Sequence, residues 1–391
     1  MSTVTGYEDV ELVINWGLGV DSTAYLVRML EDPVAHGVDL DRTMVMHQLT
    51  GDEWPTTREH ANRFVLPLLR EHSVRLVQVA RSSRSLDITV MDDSRRPDQL
   101  IERGPWTLWE EYESNGTVPQ QGGIRLCSLH AKGEVGDMLI AQAVGNRPFR
   151  QVMGFNADEV GRSLTDEVAS KNPLRQGVYP LIDWGWGREQ CEEFLHERFG
   201  VHWEKSYCTF CCFPVSMGAM ADHLDRMRAH PEIAGRVLRL EYTSVSLNPK
   251  AQLYGRHSLL EKFDPHRPAD RPALAAFEAE LTCPWALYRV RRVLPLSKAD
   301  PTKRGRALRS VERIDVGRAA ALGQRLRTVS ERYGVPVEVD ARYGRVRSWM
   351  RHRGPEWPTS EELMVTAPYQ VKSKQVPHFE KAWDAHHRQE P

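Results

Sequence analysis

Val13-Ile14-Asn15-Trp16-Gly17-Leu18-Gly19-Val20-Asp21-Ser22-Thr23-Ala24-Tyr25-Leu26 is the stretch on which the fold turns. Val13-Ile14 reads as a short buried strand and the two glycines as a turn. From Val20 a helix begins, with Asp21, Ser22 and Thr23 in its first turn. A helix N-terminus leaves backbone N–H groups unpaired and carries a partial positive charge, so it attracts phosphate. Gly17 and Gly19 are expected to take positive φ and to let the backbone approach an anion, with Ser22 and Thr23 adding hydroxyl donors. The spacing is not that of the dinucleotide fingerprint, and no Gly-Lys-Ser/Thr follows, so the Rossmann and Walker readings both fail. A plain strand-turn-helix is the competing reading.

Working outward, the first half alternates strand-like and helix-like segments, which predicts an α/β fold with a parallel sheet covered by helices. Residues 43–48 read as a second strand, 74–79 as a third and 151–154 as a fourth. A helix is expected over 57–71, kinked or ended near Leu66 by Pro67, and another over 128–143. In open α/β sheets ligands sit beyond the carboxyl ends of the strands, which brings the Gly17 loop and the segments after Gln48 and Gly154 to one rim. Past Trp184 the pattern turns helical, over 188–199, 217–229 and 231–242. Residues 247–270 look like a connector, and a terminal helix is expected near 379–386. The organisation read from this is 1–220 as the α/β domain, 221–270 as a helical connector and 271–391 as a smaller, helical and partly β, basic module.

At 391 residues with 41% hydrophobic and 27% charged side chains, the composition is that of a globular protein. No run approaches the ~18 apolar residues of a membrane span, and Met1 to Val10 lacks a signal-peptide apolar segment, so a cytoplasmic protein without a membrane partner is expected. The net charge of −1 hides an asymmetry: residues 285–353 hold 18 Lys+Arg against 6 Asp+Glu. Tyr288, Tyr333, Tyr343 and Trp349 interleave with these cations. Arginine with stacking aromatics suits a polyanion, nucleic acid above all, although such a block also serves as a solvated face.

Two further loops carry chemistry. Thr50-Gly51-Asp52-Glu53-Trp54-Pro55-Thr56-Thr57 follows the second strand; its acidic pair suits Mg²⁺ or a ribose hydroxyl, and Thr56 suits a helix cap, unless the segment is only a turn. Met153-Gly154-Phe155-Asn156-Ala157-Asp158-Glu159-Val160-Gly161-Arg162 follows the later strand. Arg162 could clamp phosphate or sulfate oxygens with Glu159 orienting it; a surface ion pair is the alternative. The six cysteines are read in a reducing compartment, where metal or redox roles outrank disulfides. Cys208-Thr209-Phe210-Cys211-Cys212 and Arg125-Leu126-Cys127-Ser128-Leu129-His130-Ala131-Lys132 admit three readings. These are an iron–sulfur cluster on Cys127, Cys208, Cys211 and Cys212, a zinc site on Cys127, His130, Cys208 and Cys211, or thiols that carry sulfur or are simply buried. Cys191 and Cys283 read as structural.

Gly17-Leu18-Gly19-Val20-Asp21-Ser22 resembles the PP-loop of the N-type ATP pyrophosphatases, in the variant form of the PAPS reductase-like branch, with Gly17 where serine is commoner. The 50–57 loop, the 154–162 loop, and Tyr179-Pro180-Leu181-Ile182-Asp183-Trp184 resemble further segments of that family in the same order. The resemblance implies a HUP-like doubly wound sheet that binds ATP through Gly17, Leu18, Gly19, Val20, Asp21, Ser22, Thr23, Gln48, Asp52, Glu53, Gly154, Glu159 and Arg162. It implies Asp21, Ser22, Lys132 and Arg162 as the catalytic set, Mg²⁺ on Asp21 and Asp52, and a [4Fe–4S] cluster, with Zn²⁺ as the alternative. The reaction implied is cleavage of ATP to AMP and pyrophosphate, adenylating an acceptor for sulfur insertion. Similarity to DNA-phosphorothioation enzymes of the DndC and SspD type points to DNA as acceptor, with tRNA second. A cysteine desulfurase or other sulfur donor and further subunits of a modification system would be the partners. The last cysteine is Cys283, so reduction by a tail thiol is not expected. Small-molecule sulfur assimilation and a nucleotide-sensing defence module are the remaining alternatives.

Overall fold

The computed structural model describes residues 7, 9–121, 125–214 and 218–387. Met217, expected to start a helix, and the tail from Arg388 lie outside the described residues. The chain forms two compact units: 1–111 with 123–209, and 112–122 with 210–391.

The first unit is built on a six-stranded sheet: β1 Leu12–Asn15, β2 Thr43–Gln48, β3 Arg75–Arg81, β4 Ile88–Ser94, β5 Phe149–Val152 and β6 Arg175–Val178. The order is β4-β3-β2-β1-β5-β6, parallel throughout except for β4, an antiparallel edge. Strands covered on both faces must be apolar on both, and alternation here sorts them into two cores. Leu12, Ile14, Val45 and Leu76 pack with α1 (Val20–Glu31) and the Arg188–Phe199 helix. Val13, Met44, Met46 and Val77 pack on the opposite face with Leu139 and Ile140 of the Glu134–Val144 helix. The α/β reading thus holds, with a doubly wound, mostly parallel sheet. Its strand order reverses between β1 and β5, where such sheets open a crevice.

Pro67 does not end its helix. The chain runs helically from Pro55 to Glu71, and a π-turn over Ala61–Val65 separates two α-helical segments. A proline ring clashes with the carbonyl four residues earlier, and a widened turn just before it relieves that clash. The same device recurs at Leu129–Gly133, the turn that holds Lys132.

The second unit, expected to be helical and partly β, is built on a sheet larger than the sequence suggested. It contains a six-stranded antiparallel sheet, β12-β8-β7-β11-β10-β9. Its strands are β7 Trp285–Leu294, β8 Leu308–Gly317, β9 Val337–Val339, β10 Val346–Arg351, β11 Thr359–Pro368 and β12 Lys374–Gln375. Helices Pro231–Leu247, Arg271–Glu280, Ala319–Arg332 and Phe379–His387 accompany it. Arg292 donates to the Leu247 carbonyl and Arg347 to those of Val245 and Ser246, so two buried guanidinium groups close the C-terminus of the Pro231–Leu247 helix. Cations there meet unpaired carbonyls and the negative end of the helix dipole. Among the described residues, no helix is long and apolar enough to cross a membrane.

Candidate functional site

The loop after β1 is strained where the sequence did not suggest it. Gly17 and Gly19 avoid positive φ; Leu18 takes it instead, at 61°. A left-handed non-glycine residue costs roughly 1–2 kcal/mol, and its surroundings must hold it there. The Leu18 side chain is buried and its carbonyl accepts a hydrogen bond from Trp203 Nε1 at 3.1 Å. The glycines contribute room: a Cβ on Gly17 would meet nothing within 4 Å. Thr23 is not free for a ligand either, because it is buried and its Oγ1 accepts from Trp16 Nε1 at 3.0 Å.

α1 begins on Gly19 with no side-chain cap. Thr23 N–H bonds the Gly19 carbonyl at 3.0 Å, which leaves the amides of Val20, Asp21 and Ser22 without intrahelical acceptors. Ser22 Oγ donates to the same carbonyl at 3.2 Å. The loop after β5 comes directly against this turn. A Cβ on Gly154 would lie 2.9 Å from Ser22 Cα and 3.0 Å from Ser22 N. Only glycine allows that approach, and any side chain there would cover the Ser22 amide. The two loops that the strand-order reversal predicts to face each other therefore meet.

Asp21 is held from both sides. Asn156 Nδ2 donates to its Oδ1 at 3.2 Å and Arg188 Nη1 to its Oδ2 at 3.0 Å. Burial raises its pKa, which Arg188 and Asn156 counteract. Asp158 accepts from the Arg188 backbone N–H at 3.1 Å and fixes where that residue starts its helix. Sequence reasoning placed Arg188 beside the family-like segment but gave it no role. Arg162 is exposed, pairs with Glu159 one turn earlier, and lies over the Phe155 ring at 4.5 Å.

The acidic loop divides its labour. Asp52 is buried and accepts from Trp109 N–H at 3.2 Å, at the start of the Leu108–Asn115 helix, while its own carbonyl accepts from Thr209 N–H at 2.9 Å. Glu53 faces a polar group instead. Thr50 Oγ1 lies 3.3 Å and Ser206 Oγ 3.0 Å from its carboxylate, Lys132 Nζ stands 3.9 Å away, and Ser206 Oγ also reaches the Gly17 carbonyl at 3.2 Å. Ser206 thereby links the acidic loop to the loop after β1. Thr56 donates to Glu204 at 2.5 Å and caps nothing. Gln48 is buried, with its Nε2 2.9 Å from where a Cβ on Gly136 would sit.

Two groups beside this cluster are uncharged. His47 Nδ1–H donates to the Trp16 carbonyl at 3.2 Å, and burial drives its pKa down to about 4. Cys208 hydrogen-bonds Thr50; burial pushes its thiol well above the ordinary range, Glu53 adds to that, and Lys132 opposes it. His47 and Ser206 lay outside the sequence reading, whereas Cys208 belonged to the cysteine set. His47 sits in a strand that reads as apolar core, and Ser206 belongs to no motif.

Cys127 and Cys208 belong to the first unit, Cys211 and Cys212 to the second. Among the described residues, no three or more His, Cys, Asp or Glu side chains form a group that could hold a metal ion. The second unit has a cavity of about 330 Å³, lined by Tyr242, Phe263, Tyr343, Glu241, Arg342 and Arg345. No family model, curated protein or solved structure matches the chain.

Proposed function

We propose that the first unit binds ATP at the rim of its parallel sheet and cleaves it between the α and β phosphates, as a HUP-like pyrophosphatase of the PAPS reductase-like kind. One observation carries this reading: Gly154 packs against Ser22 so closely that the uncapped N-terminus of α1 stays open at the strand-order reversal. Backbone amides there suit a triphosphate, since they offer fixed donors with no side-chain entropy to lose.

In this reading an acceptor oxygen forms a bond to the α-phosphorus as the bond to the β-bridging oxygen breaks, and pyrophosphate leaves with the electron pair. The α1 amides stabilise the charge that grows on the departing group, and Ser22 Oγ turns from the Gly19 carbonyl to join them. Lys132, held near Glu53, supplies a mobile cation. Arg188 and Asn156 keep Asp21 oriented beneath the loop. Mg²⁺ belongs here with the triphosphate. A sulfur nucleophile then bonds to the adenylated centre as AMP leaves with the bridging oxygen and its electron pair; where the donor is a persulfide, a second thiol cleaves the resulting S–S bond and is oxidised to a disulfide. We favour nucleic acid as acceptor, DNA before tRNA, with a cysteine desulfurase or similar donor supplying the sulfur.

The test is ATP turnover to AMP and pyrophosphate, measured with DNA, tRNA or neither. Ser22→Ala and Gly154→Ala are each expected to lower pyrophosphate release at least about 100-fold, the usual loss when a donor to developing charge is removed or blocked. Undiminished release in a folded Gly154→Ala variant would sink the assignment. The iron–sulfur cluster that the family resemblance implies is a separate proposal. Stoichiometric iron and sulfide in an anaerobic preparation, lost in Cys208→Ser, would support it; stoichiometric zinc would replace it.

A further inference from the structure

The 18 basic residues of 285–353 do not form one surface. Along the sheet several are paired with acids, while Arg309 and Arg313 reach the Gly116 and Tyr369 carbonyls. Arg289 meets Glu362 at 2.5 Å, Arg291 meets Glu380 at 2.5 Å, and Arg292 and Arg353 share Glu361 at 2.6 and 3.0 Å. Arg325 pairs with Asp315, and Arg347 with Glu338 at 3.4 Å. Of these six paired arginines, four take their acid from beyond the block, at Glu361, Glu362 and Glu380.

The connection between β7 and β8 behaves differently. Residues 296–306, Leu-Ser-Lys-Ala-Asp-Pro-Thr-Lys-Arg-Gly-Arg, carry four cations and one anion. Lys298, Lys303, Arg304 and Arg306 are exposed; among the described residues only Lys303 has a carboxylate partner, Asp300 at 2.9 Å. The tip is also ordered. Leu296 and Arg304 form a bridge, Ser297 N–H bonds the Lys303 carbonyl at 2.8 Å, and Asp300 accepts from Thr302 N–H and Oγ1. Gly305 N–H bonds the Pro295 carbonyl at 2.7 Å, and a Cβ on Gly305 would lie 2.7 Å from the Leu296 carbonyl.

We infer that this hairpin tip is the phosphate-backbone contact for the nucleic acid. Unpaired cations on a pinned turn lose little entropy on binding, and guanidinium groups match phosphate oxygens in pairs. The tip has no aromatic side chain to stack on a base, so the contact positions the strand without reading its sequence. This inference rests on the acceptor half of the proposed function and is independent of the ATP half.

The experiment measures binding of a labelled duplex without ATP across a salt series, beside acceptor-free pyrophosphate release. Removing three phosphate contacts in Lys298→Gln/Arg304→Gln/Arg306→Gln is expected to reduce the log–log salt slope by about two to three. That corresponds to roughly 100-fold or more weaker binding at 0.1 M salt. Arg325→Gln, on a paired exposed arginine, should leave the slope unchanged. A triple variant with wild-type slope, or an Arg325→Gln loss as large, overturns the hairpin assignment. Polyglutamate competing as well as DNA overturns nucleic acid in favour of an acidic polypeptide. No duplex or tRNA binding by the wild-type chain overturns the acceptor and the hairpin together, and pyrophosphate release then judges the ATP site by itself.

Discussion

Each unit carries a six-stranded sheet, yet they dispose of their polar residues in opposite ways. In the parallel sheet β1 and β2 carry no Asp, Glu, Lys or Arg, charge enters only on the flanking strands, where Arg75 pairs with Asp93, and further polar groups gather in loops at the carboxyl ends. There Asp21, Glu53, Lys132, Arg188 and Ser206 are partly satisfied by one another and partly open. In the antiparallel sheet the charged side chains stand along the strands themselves, and cross-strand neighbours consume them. A dense basic sequence therefore became ion pairs in one place and an open tip in another. Spacing to a carboxylate decided which.

The largest effect that would sharpen this contrast is expected at Glu361. It lies between Arg292 and Arg353, and with Arg292 it is almost fully buried. Glu361→Gln leaves a buried guanidinium without its counter-charge, which costs about 3–5 kcal/mol. Urea unfolding should show that loss while pyrophosphate release per folded molecule stays unchanged. A fall in turnover of the folded fraction would show that the units do not divide labour this way.

Next comes acid. His47 in the first unit and His223 in the second both have pKa values lowered by burial to about 4, against 6.5 for an unperturbed imidazole. Below 6.5 the unfolded chain binds protons that the folded chain refuses. Stability is thus fully present above that pH and lost as pH falls toward 4, by up to about 3 kcal/mol for each residue. His47→Gln should flatten this slope in unfolding of the first unit only. Equal flattening in both units would break the comparison.

The smallest effect tests the loop itself. Gly17→Ser adds a side chain into open space at a φ that serine tolerates. Stability should change by less than about 0.5 kcal/mol, and ATP should bind roughly three- to tenfold tighter through one added hydroxyl donor. Calorimetric titration with ATP reads both the sign and the size; weaker binding would mean that the space at Gly17 is not where phosphate sits.

Much of the first unit was legible because its period and punctuation agree. The apolar runs at β1 and β2 each lead into a glycine turn and then a helix, β3 follows a helix, and the structure has those elements within a few residues. β4 and β6 were not read. Ile88–Ser94 ends in Asp-Asp-Ser and Arg175–Val178 contains Arg-Gln-Gly, so neither edge strand carries an apolar signature. β7 was missed for a different reason. In Trp285–Leu294 the arginines read as a basic face, although Arg289 and Arg292 stand opposite Met364 and Glu361 in a ladder.

From sequence alone came the parallel α/β core, the loop that opens α1, and the rim on which Gly17, Glu53 and Gly154 fall, because these follow from local period and from strand polarity. Tertiary structure decided the rest. It moved the left-handed residue from the glycines to Leu18, because Trp203 and the core hold that carbonyl. It turned Asp52 toward Trp109, and it brought Arg188, Ser206 and His47 to the loop. These are contacts between residues some 30 to 190 positions apart in the chain, and no local pattern encodes which distant partner a polar group will find.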